Sequence, residues 1–219
     1  MKFKKDMLLL YGITDQRWVG RQTLYEQVEA ALQGGVTMVQ LREKQLDEEA
    51  FLREARMIRT LCDAYGVPLI INDRVDVALQ SGAAGVHVGA EDPAVSKIRQ
   101  MVPEDFIIGA TAKTVEQAVH AEESGADYVG VGAVFPSPTK TNAKRITPWQ
   151  LHEICCAVDL PAVAIGGICR DNVMRLKGCG MAGIAVVSDI FSADDIYAAT
   201  KALKEKAVLV TEEGGDVSG

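Results

Sequence analysis

The chain has no hydrophobic run long enough to cross a membrane. Its first apolar stretch, Met7 to Tyr11, is far below the roughly 20 residues of a spanning helix. Basic residues precede that stretch, as in a secretion signal, but Gly12, Thr14, Asp15 and Gln16 follow without a cleavage site. A first β-strand is the better reading. Positive charge is in deficit: 23 Lys and Arg against 30 Asp and Glu give a net charge of −7, and the isoelectric point is about 5.1. No Lys/Arg block is longer than Lys4-Lys5, which argues against a nucleic-acid surface. An anionic ligand therefore needs a local basic cluster working against a repulsive field, which salt screens beyond roughly 8 Å. The five cysteines (Cys62, Cys155, Cys156, Cys169 and Cys179) are odd in number and form no Cys-x-x-Cys pair. They read as reduced, mostly buried apolar residues of a cytoplasmic protein.

Aromatics are also few: five Phe, five Tyr and two Trp among 219 residues. A hydrophobic share of 48% beside 24% charged residues excludes collagen and disorder and suits one globular domain. Short apolar or β-branched runs recur at 8–13, 37–41, 68–71, 85–88, 106–110, 127–131, 162–165 and 183–187. Their near-continuous hydrophobicity suits parallel strands covered on both faces. Helical patterns lie between them, as in Leu24, Val28, Ala31 and Leu32, then Phe51, Ala55, Ile58 and Leu61. Thr114…Gln117 and Thr147-Pro148-Trp149-Gln150 read as capping boxes, the second with proline at the first helical position. Gly34-Gly35, Gly66, Gly82, Gly125 and Gly178 read as helix ends. Eight alternating βα units predict an α/β fold, a single (β/α)₈ TIM barrel over residues 1–211. An open doubly wound sheet is disfavoured because no Gly-x-Gly-x-x-Gly follows the first strand. Residues 212–219, acidic and glycine-rich, read as a disordered tail.

In such a barrel the site lies at the C-terminal strand ends. The second ends Gln40-Leu41-Arg42-Glu43-Lys44. Alternation puts Gln40, Arg42 and Lys44 on one face, spanning roughly 13 Å. Two cations and an amide in line suit an extended polyanion such as a diphosphate; the plain alternative is salt bridges to Glu43 and Asp47. The third strand ends Asn72-Asp73, and Asp92 follows the fourth. Two carboxylates at neighbouring mouths suit Mg²⁺ held against phosphate oxygens, although each could instead cap a helix. His87, within a strand, reads as a satisfied core histidine. Thr111 and Lys113 follow the fifth strand. After the sixth, a long loop to Thr147 carries Ser137, Thr139, Lys140, Lys144 and Arg145, all able to hold phosphate. Gly166-Gly167 and Val187-Ser188 after strands seven and eight suit the fold's usual monophosphate site, reached by backbone N–H groups. The chain offers no Ser-His-Asp set, no histidine cluster for metal and no convincing catalytic cysteine. Lys113 or Lys140 could form a Schiff base only with apolar burial that the sequence does not show.

The segments 39–44, 70–79, 85–92, 127–140, 164–168 and 187–188 together resemble thiamine-phosphate synthase, in register over nearly the whole chain. The resemblance implies a transferase that condenses 4-amino-2-methyl-5-hydroxymethylpyrimidine diphosphate with 4-methyl-5-(2-hydroxyethyl)thiazole phosphate, or its carboxylate form. The products are thiamine monophosphate and diphosphate. It further implies that Gln40, Arg42, Lys44, Asn72 and Lys140 bind the pyrimidine diphosphate, with Thr111 near the pyrimidine. Asp73 and Asp92 would hold Mg²⁺, and Ser137, Thr139, Gly167, Val187 and Ser188 would surround the thiazole phosphate. Catalysis would fall to Lys140, Arg42, Lys44 and Thr111, through leaving-group stabilisation and alignment, with the loop 135–145 closing to exclude water. Two departures stand out: Thr111 replaces a serine, and Asp189 follows Ser188 where a small residue is usual. The alternatives are a thiazole tautomerase-like isomerase and a non-catalytic phosphate-binding regulator. The partners expected are small molecules, with neither nucleic acid nor membrane; a homo-oligomer is compatible with the sequence.

Overall fold

The computed structural model describes residues 2–20, 22–89, 94–136 and 145–212. Eight parallel strands close into a barrel in chain order. They are β1 (Leu10–Ile13), β2 (Met38–Leu41), β3 (Leu69–Asn72), β4 (Gly85–Val88), β5 (Ile107–Ala112), β6 (Tyr128–Gly132), β7 (Ala162–Ile165) and β8 (Gly183–Val186). Closure is made by β8 pairing with β1, Leu10 opposite Ile184. The fold is the single (β/α)₈ barrel that the periodicity predicts, with strand limits within two residues of expectation. Among the described residues no helix is long and apolar enough to cross a membrane.

The helices are α1 (Leu24–Gln33), α2 (Glu48–Ala64), α3 (Val75–Ser81), α4 (Val95–Met101), α5 (Val115–Glu123), α6 (Pro148–Ala157), the short α7 (Ser188–Phe191) and α8 (Ile196–Thr211). The crossover after β7 departs from the expected α-helix. It forms only a 3₁₀ turn, Val173–Leu176, because Asn172 ties the segment locally. Its Oδ1 accepts from Cys169 N–H at 2.9 Å, and its Nδ2 donates to the Gly167 carbonyl at 2.8 Å. Such side-chain bonds to nearby backbone compete with helix. The Thr147 capping box is complete, with Pro148 at the first position. That at Thr114 is half formed: its hydroxyl accepts from Gln117 N–H, but Gln117 Oε1 accepts from Lys113 N–H at 2.7 Å. Of the expected tail, residues 213–219 lie outside the described residues.

Two apolar layers hold the barrel. Outside the strands, helix faces such as Phe51, Ala55, Ile58 and Leu61 of α2 pack on them fully buried. Each large side chain so buried contributes roughly 1.5–3 kcal/mol. Inside the barrel, Leu8, Met38, Ile70, Ile107 and Val163 pack around Tyr11 and Tyr128. Because side chains alternate along each strand, Gln40, Asn72 and Thr111 share the interior series with these residues and come to its C-terminal mouth.

Candidate active site

One pocket occupies that mouth. Its lining includes Gln40 and Arg42 from the β2 end, Asn72 from β3, Thr111 and Lys113 from the β5 end, and Gly167, Val187 and Ser188 beyond β7 and β8. All of these but Lys113, seven residues, are substrate contacts that the resemblance implies, and they converge here. Lys44 and Asp73 stand outside this lining, at the rim, where Lys44 Nζ and Asp73 Oδ2 form an ion pair. Asp92, Ser137, Thr139 and Lys140 lie outside the described residues, as does most of the loop 135–145.

The β2 end is a braced cationic edge. Arg42 N–H donates to Thr14 Oγ1 at 3.0 Å, and its guanidinium lies 3.6 Å from Asp15 Oδ2. That carboxylate also accepts from Arg17 Nε at 3.0 Å and Nη2 at 2.7 Å. The Arg17 guanidinium holds Asp15 below the usual carboxylate range. With Arg17 already on this carboxylate, Arg42 keeps positive charge available to the pocket. The salt bridges from Arg42 and Lys44 to Glu43 and Asp47 do not form. Glu43 is buried, and its Oε1 accepts the N–H groups of Lys44, Gln45 and Leu46 at 2.6, 2.5 and 3.2 Å. Asp47 caps α2 through Ala50 N–H at 2.8 Å. Glu43 thus fixes the loop that carries the cations, on the face opposite them.

Asp73 has φ +64°, a left-handed conformation that costs a non-glycine residue about 1–2 kcal/mol and that often marks functional sites. Its N–H donates to the His87 carbonyl at 2.9 Å. The capping role open to it goes unused, since Arg74 precedes α3 with no side-chain cap. The turn instead aims the carboxylate at Lys44. Among the described residues no group of three or more His, Cys, Asp or Glu gathers as for a metal cage. Mg²⁺ asks for less: one or two carboxylates, with water and substrate phosphates completing the shell. A hard carboxylate oxygen beside a lysine at the pocket rim fits that mode.

After β7 the wall is a glycine turn, Gly166-Gly167, without side chains. Gly167 has φ +63°, and a Cβ there would lie 2.1 Å from the Pro136 carbonyl oxygen. Glycine is required twice over, by the dihedral and by the close approach. Asp189, a possible source of repulsion beside a phosphate, turns to Arg170: its Oδ2 accepts from the Arg170 N–H at 3.0 Å and from Nε at 3.1 Å.

The pocket floor holds residues that sequence reasoning passed over. Tyr11 and Tyr128 touch through their hydroxyls at 2.9 Å, and Gln40 Nε2 donates to Tyr11 OH at 2.8 Å. His87 Nδ1 lies 3.1 Å from Tyr128 OH and Nε2 3.1 Å from Thr111 Oγ1. The core-histidine reading of His87 therefore stands, with both ring nitrogens bonded. The signal in the sequence was indirect: Gly109 and Gly130 keep space for these rings. A Cβ at either would lie 2.1 Å from Tyr128 Cζ or 2.9 Å from His87 Cε1.

Lys113 reaches the pocket but is exposed, so the apolar burial a Schiff-base lysine needs is missing. The cysteines are free thiols, yet not mostly buried: Cys62 and Cys179 are, Cys155 and Cys169 are partly so, and Cys156 is exposed. Burial pushes the Cys62 and Cys155 thiols up to about 12, the opposite of an activated nucleophile.

Comparison with known proteins agrees along the whole barrel. The family model described as "Thiamine monophosphate synthase" matches residues 10–190. The thiamine-phosphate synthase of Ruminiclostridium cellulolyticum is 46% identical over 94% of this chain and 97% of its own. Thiamine-phosphate synthase 2 of Streptococcus pneumoniae is 45% identical, over 92% and 96%. Among solved structures, the thiamine phosphate pyrophosphorylase of Pyrococcus furiosus superposes with a TM-score of 0.87 at 37% identity, covering 94% of this chain and 98% of that one.

Proposed function

Because the chain belongs to the thiamine monophosphate synthase family, we propose that it joins the aminopyrimidine diphosphate to the thiazole phosphate, giving thiamine monophosphate and diphosphate. The observation that carries this reading is the meeting, in one pocket, of a braced cationic edge and a bare glycine turn. The first suits a diphosphate and the second a monophosphate. Arg42, Lys44 and Lys140 grip the diphosphate, with Asn72 and Gln40 beside it. Gly167, Val187, Ser188, Ser137 and Thr139 receive the thiazole phosphate.

The pyrimidine methylene–oxygen bond breaks first, its electron pair leaving with the diphosphate. The thiazole nitrogen then donates its lone pair to the cation, forming the new carbon–nitrogen bond. That nitrogen carries no proton to be removed, so the site needs no strong general base. What Arg42 and Lys44 supply is charge stabilisation of the leaving group, with Thr111 and Gln40 aligning the ring. Asp73 and Asp92 would hold Mg²⁺, which when bound adds neutralisation at the diphosphate. A cytoplasmic setting and small-molecule partners belong to the same proposal.

Omitting substrates one at a time tests it. Thiamine monophosphate and diphosphate should appear in equal amounts only when both substrates are present. Conversion of the thiazole carboxylate phosphate alone would support the isomerase reading instead; binding of thiazole phosphate with no turnover of any mixture would support the regulator.

A further inference from the structure

The barrel floor contains an unbroken hydrogen-bonded row of five side chains from five strands: Gln40, Tyr11, Tyr128, His87 and Thr111. Its interior members are almost sealed. Tyr11 is 1% exposed, Tyr128 0% and His87 9%. Burial raises both phenols far above their ordinary range, so they stay neutral. Two strand positions, Gly109 and Gly130, are kept free of side chains to admit the rings. A fully apolar floor would have been simpler to pack, and buried polar groups are costly unless every one is paired.

A neutral hydroxyl or imidazole inside such a row donates on one side and accepts on the other. The sense of the bond at one end therefore dictates the sense at the other. With Gln40 Nε2 donating to Tyr11, the row runs Tyr11 to Tyr128, Tyr128 to His87 Nδ1, and His87 Nε2–H to Thr111. Thr111 then offers its O–H to the pocket, and Gln40 offers its carbonyl oxygen. Reversing every bond turns the amide over and exchanges the two roles. In either sense one end donates and the other accepts. An aminopyrimidine, with an amino donor and ring-nitrogen acceptors, asks for that combination.

We propose that Tyr11, Tyr128 and His87 are positioning residues that tie Gln40 to Thr111, so that the two ends present opposite hydrogen-bond senses to the pyrimidine ring. This rests on the reading that the pyrimidine sits over Gln40 and Thr111. The effect proposed for Tyr11, Tyr128 and His87 is passed through Gln40 and Thr111 to recognition of the ring.

The test uses Tyr11→Phe, Tyr128→Phe and the double variant, each of which keeps its ring and opens no cavity. Cutting the row once should lower kcat/KM for the pyrimidine diphosphate by about 5- to 10-fold. KM for the thiazole phosphate and inhibition by inorganic diphosphate should not move. The second cut should add little, because a broken row has no sense left to transmit. Multiplying losses, or equal losses for both substrates, would overturn the positioning role. A second measurement does not depend on turnover. Nitrogen-15 NMR of the full chain with His120 and His152 replaced by glutamine reads the His87 ring directly. A single neutral tautomer in that chain, becoming a mixture on Tyr128→Phe, is expected. An imidazolium before the cut, or tautomer proportions that the cut leaves unchanged, would refute the row whatever the activity. A single tautomer in a chain that makes no thiamine phosphate would instead overturn the pyrimidine reading, and with it the role assigned to the row.

Discussion

Replacing Gly167 by alanine separates two costs that coincide at the pocket wall. The residue has φ +63°, and an added Cβ would lie 2.1 Å from the Pro136 carbonyl oxygen, far inside ordinary van der Waals separation. The left-handed dihedral costs alanine about 1–2 kcal/mol, and forcing atoms into a packed site adds about 1–3. Gly66 provides the control: its φ is +67°, yet nothing lies within 4 Å of an added Cβ. Gly66→Ala therefore carries the dihedral cost alone, and any gain from a stiffer unfolded chain is common to both. In a domain of this size each kcal/mol moves Tm by about 2–4 °C. Gly167→Ala should melt roughly 2–12 °C below Gly66→Ala by calorimetry. Steady-state kinetics should show KM for the thiazole phosphate rising more than KM for the pyrimidine diphosphate, because the turn belongs to the monophosphate wall. Equal melting of the two variants would refute the close approach, and a KM rise confined to the pyrimidine diphosphate would refute the placement.

Three further outcomes are expected. Arg42→Ala, Asp92→Ala and Lys140→Ala should each lower turnover by about 10²-fold or more, the scale for losing an electrostatic stabiliser; near-normal turnover in a folded variant would remove that residue from the site. Asp15, held below its ordinary range by Arg17, contributes stability that is complete above its unfolded value of about 3.9 and is lost as pH falls through the lower folded value. Denaturation of Asp15→Asn should therefore depend less on pH than that of the parent across the acid range, and identical profiles would contradict the pairing. A thiol reagent at pH 8 should label Cys156 quickly and leave Cys62 and Cys155 unmodified until the chain unfolds, as their raised values require; fast labelling of Cys62 would contradict its burial.

What was legible in the sequence is what short-range rules govern. Strand alternation alone places Gln40, Arg42, Asn72 and Thr111 on interior faces, and barrel closure then brings them to one mouth. Gly167, Val187 and Ser188 follow from position after β7 and β8. The partners of those residues were not legible, because they are set by contacts between distant strands. Tyr11 and Tyr128 are 117 residues apart, and each reads singly as one more core aromatic. Glu43 looks like a counter-ion for its neighbours, yet alternation turns it to the face opposite them, where it holds the loop backbone. Asp189 looks repulsive until the turn after β7 brings Arg170 against it. The missing helix after β7 has the same origin, since helical pattern cannot show that Asn172 will bind backbone instead.

The most direct measurement is the appearance of thiamine monophosphate and diphosphate from the two substrates, followed with Mg²⁺ and again with EDTA. Equimolar products that require Mg²⁺ are expected from a diphosphate held by Arg42, Lys44 and a carboxylate-bound metal. No product from folded protein would contradict the synthase reading, and undiminished product in EDTA would contradict the metal role given to Asp73 and Asp92.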